Sequence, residues 1–207
     1  MKFVDLSVVI NEEIPAYPGD PRFAIKQIGF FDKDTYNDHQ IKFGIHSSGT
    51  HIDAPWHMVE DGAKLADLPI DKFVGNGKLI DVKEGRFDIR AIKESDISED
   101  DIVIFNTGMA EFYGKDNDKY YGDNRPEMSE EVARYLASKK VKMIGLDMCS
   151  PDKPPFKAHR VLLGAEVLII ENLTNLKNLS GKKFKIYALP LKLALDGAPA
   201  RVIAQIE

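Results

Sequence analysis

The chain has 207 residues, 43% of them hydrophobic, and a formal net charge of −5 at neutral pH. This size and composition fit a globular protein with a core of its own, and the acidic balance argues against a nucleic-acid-binding protein, which would carry a basic face. The single cysteine, Cys149, excludes an intramolecular disulfide, and no apolar run approaches the ~18 residues of a membrane span. We therefore expect a cytoplasmic protein with neither nucleic-acid nor membrane partners.

Eight segments have the alternating or continuous apolar pattern of β-strands. In chain order they are residues 22–31, 40–46, 78–82, 102–105, 141–147, 167–171, 183–189 and 201–206. In the second segment, alternation is expected to place Ile41, Phe43 and Ile45 on one face and His46 on the other.

Two helices are predicted between these strands. Residues 88–94 begin at Asp88, a good N-cap, and a clearer helix follows Ser129, where two glutamates favour the positive end of the helix. Residues 111–123, with three tyrosines, are predicted to form a long polar loop, either a lid or a plain excursion. Because strands outnumber helices and helices fall between strands, the sequence predicts an α/β domain with a mixed sheet.

Residues 46–57 hold three of the five histidines in the chain. His51 and Asp53 are two positions apart, so they share one face of an extended strand, and an imidazole beside a carboxylate suits Zn²⁺ or Mn²⁺. Gly49 permits a close backbone approach, and Pro55 bars continuation of the strand except at an edge. The segment is therefore predicted to be a strand end that opens into a stiff loop and offers metal-binding groups.

Two later residues are candidates for the same centre. Glu171 ends an apolar strand, where ligands of open α/β sheets often lie, and His159 precedes it with a turn-and-helix unit between them. Spacing alone does not unite this pair with His51 and Asp53. Each also has an ordinary alternative, with Glu171 as a rim acid paired with a lysine and His159 as a surface or capping residue.

Four more residues that could carry chemistry are given structural roles. Asp147 and Asp152 are predicted to cap a turn. Cys149 has no histidine or motif around it and is predicted to be a buried thiol rather than a nucleophile. His39 is predicted to be a solvated residue at a strand edge.

Longer blocks of sequence match the pattern of one known family, in order, over nearly the whole chain. They are Asp5-Leu6-Ser7 with Pro18-Gly19-Asp20-Pro21, then 49–57, then 159–164 through 171–173, then Leu189-Pro190-Leu191 with 196–201. The block 49–57 is similar to the signature His-x-Gly-Thr-His-x-Asp-x-Pro-x-His. By these blocks the chain resembles the cyclase-like metal-dependent hydrolases, the group that includes bacterial kynurenine formamidase and isatin hydrolase.

The resemblance implies a swivelling β/β/α fold in a single domain, residues 1–207, and a homodimer or higher homo-oligomer. It implies one or two ions of Zn²⁺ or Mn²⁺ per chain, held by His51, Asp53, His159 and Glu171, with the carboxylates shared where two ions bind. It implies that His57 is the catalytic proton-transfer residue. The implied activity is hydrolysis of a small-molecule amide substrate, an aryl formamide or a cyclic amide, by a metal-activated water.

The chain departs from the family pattern at two places. Ser47 stands where the first signature histidine is expected, serine is a poor zinc ligand, and in a regular strand the neighbouring His46 could replace it only through a bulge. This departure favours a one-metal site. Residues 106–109, Asn-Thr-Gly-Met, stand where relatives often have Arg-Thr-Gly-Trp.

Two other functions remain open on the same scaffold. The loss of the ligand at Ser47 would suit a non-catalytic metal- or ligand-binding protein, whereas the retained His57 favours an enzyme. A lactone or ester hydrolase is the second alternative, because the sequence does not identify the substrate.

Overall fold

The computed structural model describes residues 1–207, which form ten strands and five short helices. The strands are β1 Lys2–Asp5, β2 Ala24–Gly29, β3 Asp38–Lys42, β4 His51–Asp53, β5 Val74–Asp81, β6 Ile102–Asn106, β7 Met143–Leu146, β8 Leu168–Glu171, β9 Phe184–Pro190 and β10 Gly197–Ile206. The helices are α1 Phe31–Asp34, α2 Ile89–Glu94, α3 Asn117–Tyr121, α4 Glu130–Ser138 and α5 Lys157–Gly164. Short 3-10 turns fill several connections, among them Ile45–Ser47 and Pro55–His57.

Seven strands close into a barrel. The order around the ring is β10, β4, β8, β7, β6, β5 and β9, and β9 pairs with β10 to complete it. The strands β5 to β8 run parallel to one another, and the other pairs in the ring are antiparallel. Strand β1 pairs with the far half of β10, beyond β4. The α/β class and the mixed sheet predicted from the sequence are confirmed, with the sheet closed on itself.

Alternation along the barrel strands separates two hydrophobic cores. Ile102 and Ile104 of β6 belong to a cluster that draws buried residues from all around the ring, so this cluster fills the barrel. Val103 and Phe105 of the same strand belong to a second cluster that includes buried residues of α2, α4 and α5. The helices therefore cover one outer face of the barrel.

The two predicted helices begin at the capping residues that the sequence indicated. The Asp88 side chain accepts a hydrogen bond from the Arg90 amide, and the Ser129 side chain accepts one from the Val132 amide. Both helix predictions are confirmed. No helix in the structure has the length and apolar character required to cross a membrane.

The strands predicted at 22–31 and 40–46 are shorter than expected and stand apart from the barrel. They form a separate two-stranded sheet, β2 with β3, and β3 ends at Lys42. A 3-10 turn follows at Ile45–Ser47, so the strand predicted up to His46 is wrong at this end. Every residue of β3 is exposed, including Ile41, and the alternating pattern did not reflect a buried face.

The loop predicted at 111–123 contains a helix. Asp116 caps α3 by accepting a hydrogen bond from the Lys119 amide, and Tyr120 is fully buried within it. The Tyr120 hydroxyl donates to Asn172 Oδ1 at 2.6 Å. This segment is therefore anchored in the core, and the prediction of a plain polar loop is wrong because a long-range contact of one tyrosine outweighs its polar sequence.

Candidate metal centre

Strand β4 carries the two residues at the middle of the site. His51 and Asp53 are buried, and β4 lies between β8 and β10 in the barrel. The register pairs His51 with Glu171, the last residue of β8, so the two side chains leave the sheet on one face. His159 comes from the first turn of α5, which packs against β8. Strand pairing and helix packing thus bring together four residues that are far apart in the sequence.

The donor atoms of these four residues have the spacing of ligands around a metal. His51 Nε2 lies 3.4 Å from Asp53 Oδ1 and 3.5 Å from Glu171 Oε2. His159 Nε2 lies 3.5 Å from Glu171 Oε1 and 3.9 Å from Asp53 Oδ2. Ligand atoms at about 2.1 Å from a tetrahedral Zn²⁺ are themselves about 3.4 Å apart. We call His51, Asp53, His159 and Glu171 the four-residue cluster.

The protonation state of His51 tests whether the cluster fits a cation. His51 Nδ1 lies 2.8 Å from the Gly49 carbonyl oxygen, which can only accept, so Nδ1 carries a proton and the lone pair of the neutral ring is on Nε2. That buried Nε2 has no hydrogen-bond partner and faces the carboxylates of Asp53 and Glu171. A lone pair and two anions repel one another in a buried site unless a positive charge lies between them. The residues present therefore fit a divalent cation.

His159 is also oriented through its Nδ1, but the acceptor is a carboxylate instead of a backbone carbonyl. Its Nδ1 is hydrogen-bonded to Asp152 Oδ1, and Asp152 Oδ2 accepts from the Ala158 amide. The buried Arg125 and the Ser150 hydroxyl both donate to the Asp152 backbone oxygen. Asp152 therefore does more than cap a turn, since it holds His159 with Nε2 directed at Asp53 and Glu171.

The charges of the cluster depend strongly on one another. Burial and the adjacent Asp53 charge raise the pKa of Glu171. Burial also tends to raise the pKa of Asp53, but the hydrogen bond from His46 and the charges of nearby histidines outweigh it and hold that pKa well below its usual range. Burial lowers the pKa of His159, but hydrogen bonds to Asp152 and Glu171 outweigh it and raise the pKa to about 9. Positive charge on the neighbouring histidines is thus what keeps Asp53 ionised.

His46 lies in the site through the 3-10 turn rather than through a strand bulge. Its Nδ1 is 3.0 Å from Asp53 Oδ1, and its Nε2 is 2.8 Å from Asp196 Oδ2. Burial lowers the pKa of His46, but these two hydrogen bonds outweigh it and raise the pKa to about 10. The side chain of Ser47 points elsewhere and donates to Asp20 Oδ2 at 2.9 Å.

His57 follows β4 in the 3-10 turn Pro55–His57 and lies beside the four-residue cluster. Its ring centroid is 3.9 Å from that of His46 and 6.0 Å from that of His159. Its Nδ1 is 3.4 Å from Asp196 Oδ2, the atom that also bonds His46. Burial lowers the pKa of His57, which favours a neutral ring. His57 is therefore a neutral imidazole held next to the candidate metal ligands.

A cavity of about 250 Å³ opens onto these groups. It is lined by Tyr17, Asp20, His46, Asp53, His57, Met58, Cys149, Ser150, Phe156, His159 and Glu171. Its volume falls just below the roughly 300–1,000 Å³ of ordinary ligand pockets, so it suits a small molecule. The cavity combines an acidic, histidine-rich floor with aromatic and thioether walls.

Sequence reasoning missed two carboxylates that position the histidines. Asp196 belongs to the block 196–201 that carried part of the family resemblance, but nothing local connects it to His46 or His57. Asp152 lies seven residues before His159, a spacing that a turn into a helix could have indicated. Both were missed because their partners are fixed only by the folded chain.

The other residues with predicted structural roles behave as expected. Cys149 is buried, and burial raises its pKa to about 12, so it is a thiol rather than a thiolate. Asp147 accepts hydrogen bonds from the Thr107 and Gly108 amides and so holds a turn. His39 is exposed on β3.

Comparison with known proteins gives consistent matches over most of the chain. The "Putative cyclase" family model matches residues 4–153. Kynurenine formamidase of Bacillus anthracis is 30% identical over 211 residues, covering 98% of this chain and 96% of that protein. Isatin hydrolase A from Labrenzia aggregata, solved bound to benzyl benzoate, has a TM-score of 0.88 at 26% identity and covers 98% of this chain and 93% of that chain. The structure of a predicted metal-dependent hydrolase from Bacillus stearothermophilus has a TM-score of 0.79 at 32% identity and covers 98% and 97% of the two chains.

Proposed function

The chain belongs to the cyclase family of metal-dependent hydrolases, and on that premise we propose that it hydrolyses the amide bond of a small aryl formamide or cyclic amide. The observation that carries the proposal is the bare, buried Nε2 of His51 between two carboxylates, with His57 beside it. Relatives named kynurenine formamidase and isatin hydrolase support the amide as substrate. The mixed nitrogen and oxygen donors support Zn²⁺, with Mn²⁺ as the alternative.

The four-residue cluster would hold the cation, and His57 would move the proton. A bound divalent cation supplies a Lewis acid that polarises the amide carbonyl and lowers the pKa of water to about 7. Asp196 can only accept a hydrogen bond, so it fixes the His57 proton on Nδ1 and leaves Nε2 as the base. Nε2 of His57 takes a proton from the attacking water and returns it to the leaving nitrogen.

The size and the walls of the cavity fit a substrate with a single ring system. Tyr17, Met58 and Phe156 offer apolar surface, and the small cavity volume excludes a peptide chain. No lysine or arginine lines the cavity, so a substrate carboxylate would find no ammonium or guanidinium partner there. These features favour a neutral aromatic amide.

The first prediction separates the proposed base from the proposed ligands. His57→Ala should keep the metal and lower turnover of an aryl formamide or cyclic amide by about 10²–10⁴-fold, the usual contribution of acid–base catalysis. His51→Ala should lose metal and activity together. A ligand is needed to form the metal site, whereas the base only takes a proton from the attacking water. Turnover is measured by product absorbance, and metal content per chain by elemental analysis.

Two outcomes would contradict this assignment. A His57→Ala enzyme that hydrolyses its amide at the wild-type rate would remove His57 from the mechanism even with the metal in place. A wild-type protein that holds metal but cleaves a matched lactone and no amide would show that the substrate class is wrong.

A further inference from the structure

The turn Tyr17-Pro18-Gly19-Asp20 places the side chains of its first and last residues in the wall of the cavity. The Asp20 amide donates to the Tyr17 carbonyl oxygen at 3.0 Å, which closes a β-turn. Proline fixes its own φ, and Gly19 has a φ of 96°, the combination that suits a type II turn. Because the ends of a β-turn lie less than about 7 Å apart, an aromatic ring and a carboxylate reach the cavity side by side.

Contacts outside the turn hold both of these side chains. The Tyr17 ring packs edge-to-face against Tyr121 of α3, with 5.8 Å between the ring centroids. Ser47 Oγ donates to Asp20 Oδ2 at 2.9 Å. The Ser47 side chain is buried, so the hydroxyl is a fixed anchor for the carboxylate. Asp20 is therefore held by one oxygen, and its Oδ1 accepts no hydrogen bond within the protein.

Asp20 is the carboxylate of the cavity wall that is left to interact with a substrate. The other two carboxylates of the lining, Asp53 and Glu171, belong to the four-residue cluster and face its histidines. A carboxylate only accepts hydrogen bonds, and it binds an N–H group more strongly than a neutral oxygen does. The N–H of an amide satisfies such an acceptor. The ring oxygen of a lactone or the bridging oxygen of an ester instead turns lone pairs towards the anion.

We propose that Asp20, held by Ser47, selects amides over lactones and esters by accepting the N–H of the scissile amide at Oδ1. This inference rests on the proposed function, since it presumes an amide bound in the cavity beside the four-residue cluster. The cavity of about 250 Å³ is small enough that a single ring system filling it brings its amide nitrogen to the wall. Repulsion of the oxygen analogue adds to the selectivity, because exclusion of a wrong ligand counts as much as attraction of the right one.

The hydrogen bond to Asp20 also becomes stronger during the reaction. The nitrogen that donates to Oδ1 is the one that receives a proton from His57 when the bond to the carbonyl carbon breaks. Positive charge therefore develops on this nitrogen next to an anionic acceptor. Only interactions that strengthen towards the transition state raise the chemical rate, so the selectivity is expected in kcat as well as in KM.

The test compares three substrates in the wild type and in Asp20→Asn. They are the amide that the wild type cleaves, either formanilide or a benzo-fused lactam, its N-methyl derivative, and the ester or lactone with oxygen in place of the nitrogen. The asparagine side chain keeps the size of the aspartate and an oxygen for Ser47, but it presents an NH₂ group where Oδ1 was. The kcat/KM of the amide should fall by about 10–100-fold, the range for a hydrogen bond to a charged group.

The other two substrates should respond differently to the same substitution. The N-methyl amide has no N–H to lose, and the ester or lactone gains a donor in place of an anion. Neither kcat/KM should fall. Each substrate is compared with itself in the two proteins, so differences in intrinsic reactivity between amides and esters do not enter the result.

Two further variants separate selectivity from general effects. Glu13→Gln removes one negative charge from an exposed residue of the same N-terminal segment that does not line the cavity, and it should leave all three substrates unchanged. Ser47→Ala frees Asp20 and should shift the amide-to-ester ratio in the same direction by a smaller factor. Added to Asp20→Asn, it should not change the ratio further, because the two residues act through one hydrogen bond to the substrate.

The outcomes distinguish this inference from the proposed function. Equal losses for the amide and the ester in Asp20→Asn, or a parallel loss for the N-methyl amide, would show that Asp20 only shapes the turn. Either result would overturn the inference and leave the proposed function standing. A metal-loaded wild type that cleaves the ester or lactone and no amide would overturn the proposed function and this inference with it.

Discussion

At the scale of single residues, the site depends on which ring nitrogen of each histidine carries the proton. Gly49 fixes the proton of His51 on Nδ1, and Asp152 does the same for His159. Both rings therefore present Nε2 to the carboxylates of Asp53 and Glu171. The hydrogen-bond acceptors at Nδ1 thus determine which nitrogen of each ring faces the carboxylates.

Asp152→Asn should weaken metal binding without removing a proposed ligand. The amide can present a donor to His159 Nδ1, which disturbs the tautomer and the orientation of the ring. We expect affinity for Zn²⁺ to fall by about 10–100-fold, measured by competition with a chelator.

Asp147→Asn is the control for this experiment. Asp147 is equally buried and bonds the Thr107 and Gly108 amides rather than a histidine. It should lose stability and keep its metal affinity. Equal loss of affinity in both variants would show that Asp152 acts only through folding.

At the scale of secondary structure, helix α3 supports the strand that carries the site. The Tyr120 hydroxyl donates to Asn172 Oδ1, and Asn172 Nδ2 donates to the Gly49 carbonyl oxygen. That same carbonyl oxygen accepts from His51 Nδ1. A segment with a polar loop-like sequence is therefore connected through two side chains to a proposed metal ligand.

Tyr120→Phe should lower the free energy of unfolding by about 1–3 kcal/mol, because it leaves the buried Asn172 oxygen without a donor. Chemical denaturation measures the change. Tyr121→Phe on the same helix is the control, since its hydroxyl makes no hydrogen bond within the protein, and it should change stability by less than about 0.5 kcal/mol. Equal stability of the two variants would argue that α3 is a mobile lid after all.

At the scale of the whole molecule, the β2–β3 hairpin lies outside the barrel and exposes apolar side chains. Ile28, Phe31, Tyr36 and Ile41 are exposed on it or on its connection. A two-stranded hairpin is only marginally stable by itself, and exposed apolar patches usually mark an interface. This surface supports the homo-oligomer that the family resemblance implies, and we propose that a second copy of the chain covers it.

Ile41→Asp should then convert a dimer into a monomer, because it places a charge in an apolar interface. Light scattering measures the mass in solution. Ile70→Asp is the control, since Ile70 is also exposed but lies on a 3-10 turn away from the hairpin. A wild-type chain that is monomeric, or an Ile41→Asp variant that stays dimeric, would contradict the proposed interface.

The sequence by itself determined the features that depend on neighbouring residues. Asp88 and Ser129 cap their helices through bonds spanning two or three residues, and β4 begins and ends where the His-x-Asp pattern and Pro55 indicated. It also determined the family, because ordered blocks along the whole chain carry that information. The strand interiors were predicted because continuous apolar runs require burial.

Only the tertiary structure decided how the site is assembled. Asp196 is 150 positions from His46, and Tyr120 is 52 positions from Asn172, so barrel closure and packing had to bring these partners together. The same is true of His46, whose direction depends on a 3-10 turn that its alternating sequence did not predict. A change of backbone rotation by about 60° per residue, too small to leave a sequence pattern over three residues, determined which side chain faces Asp53.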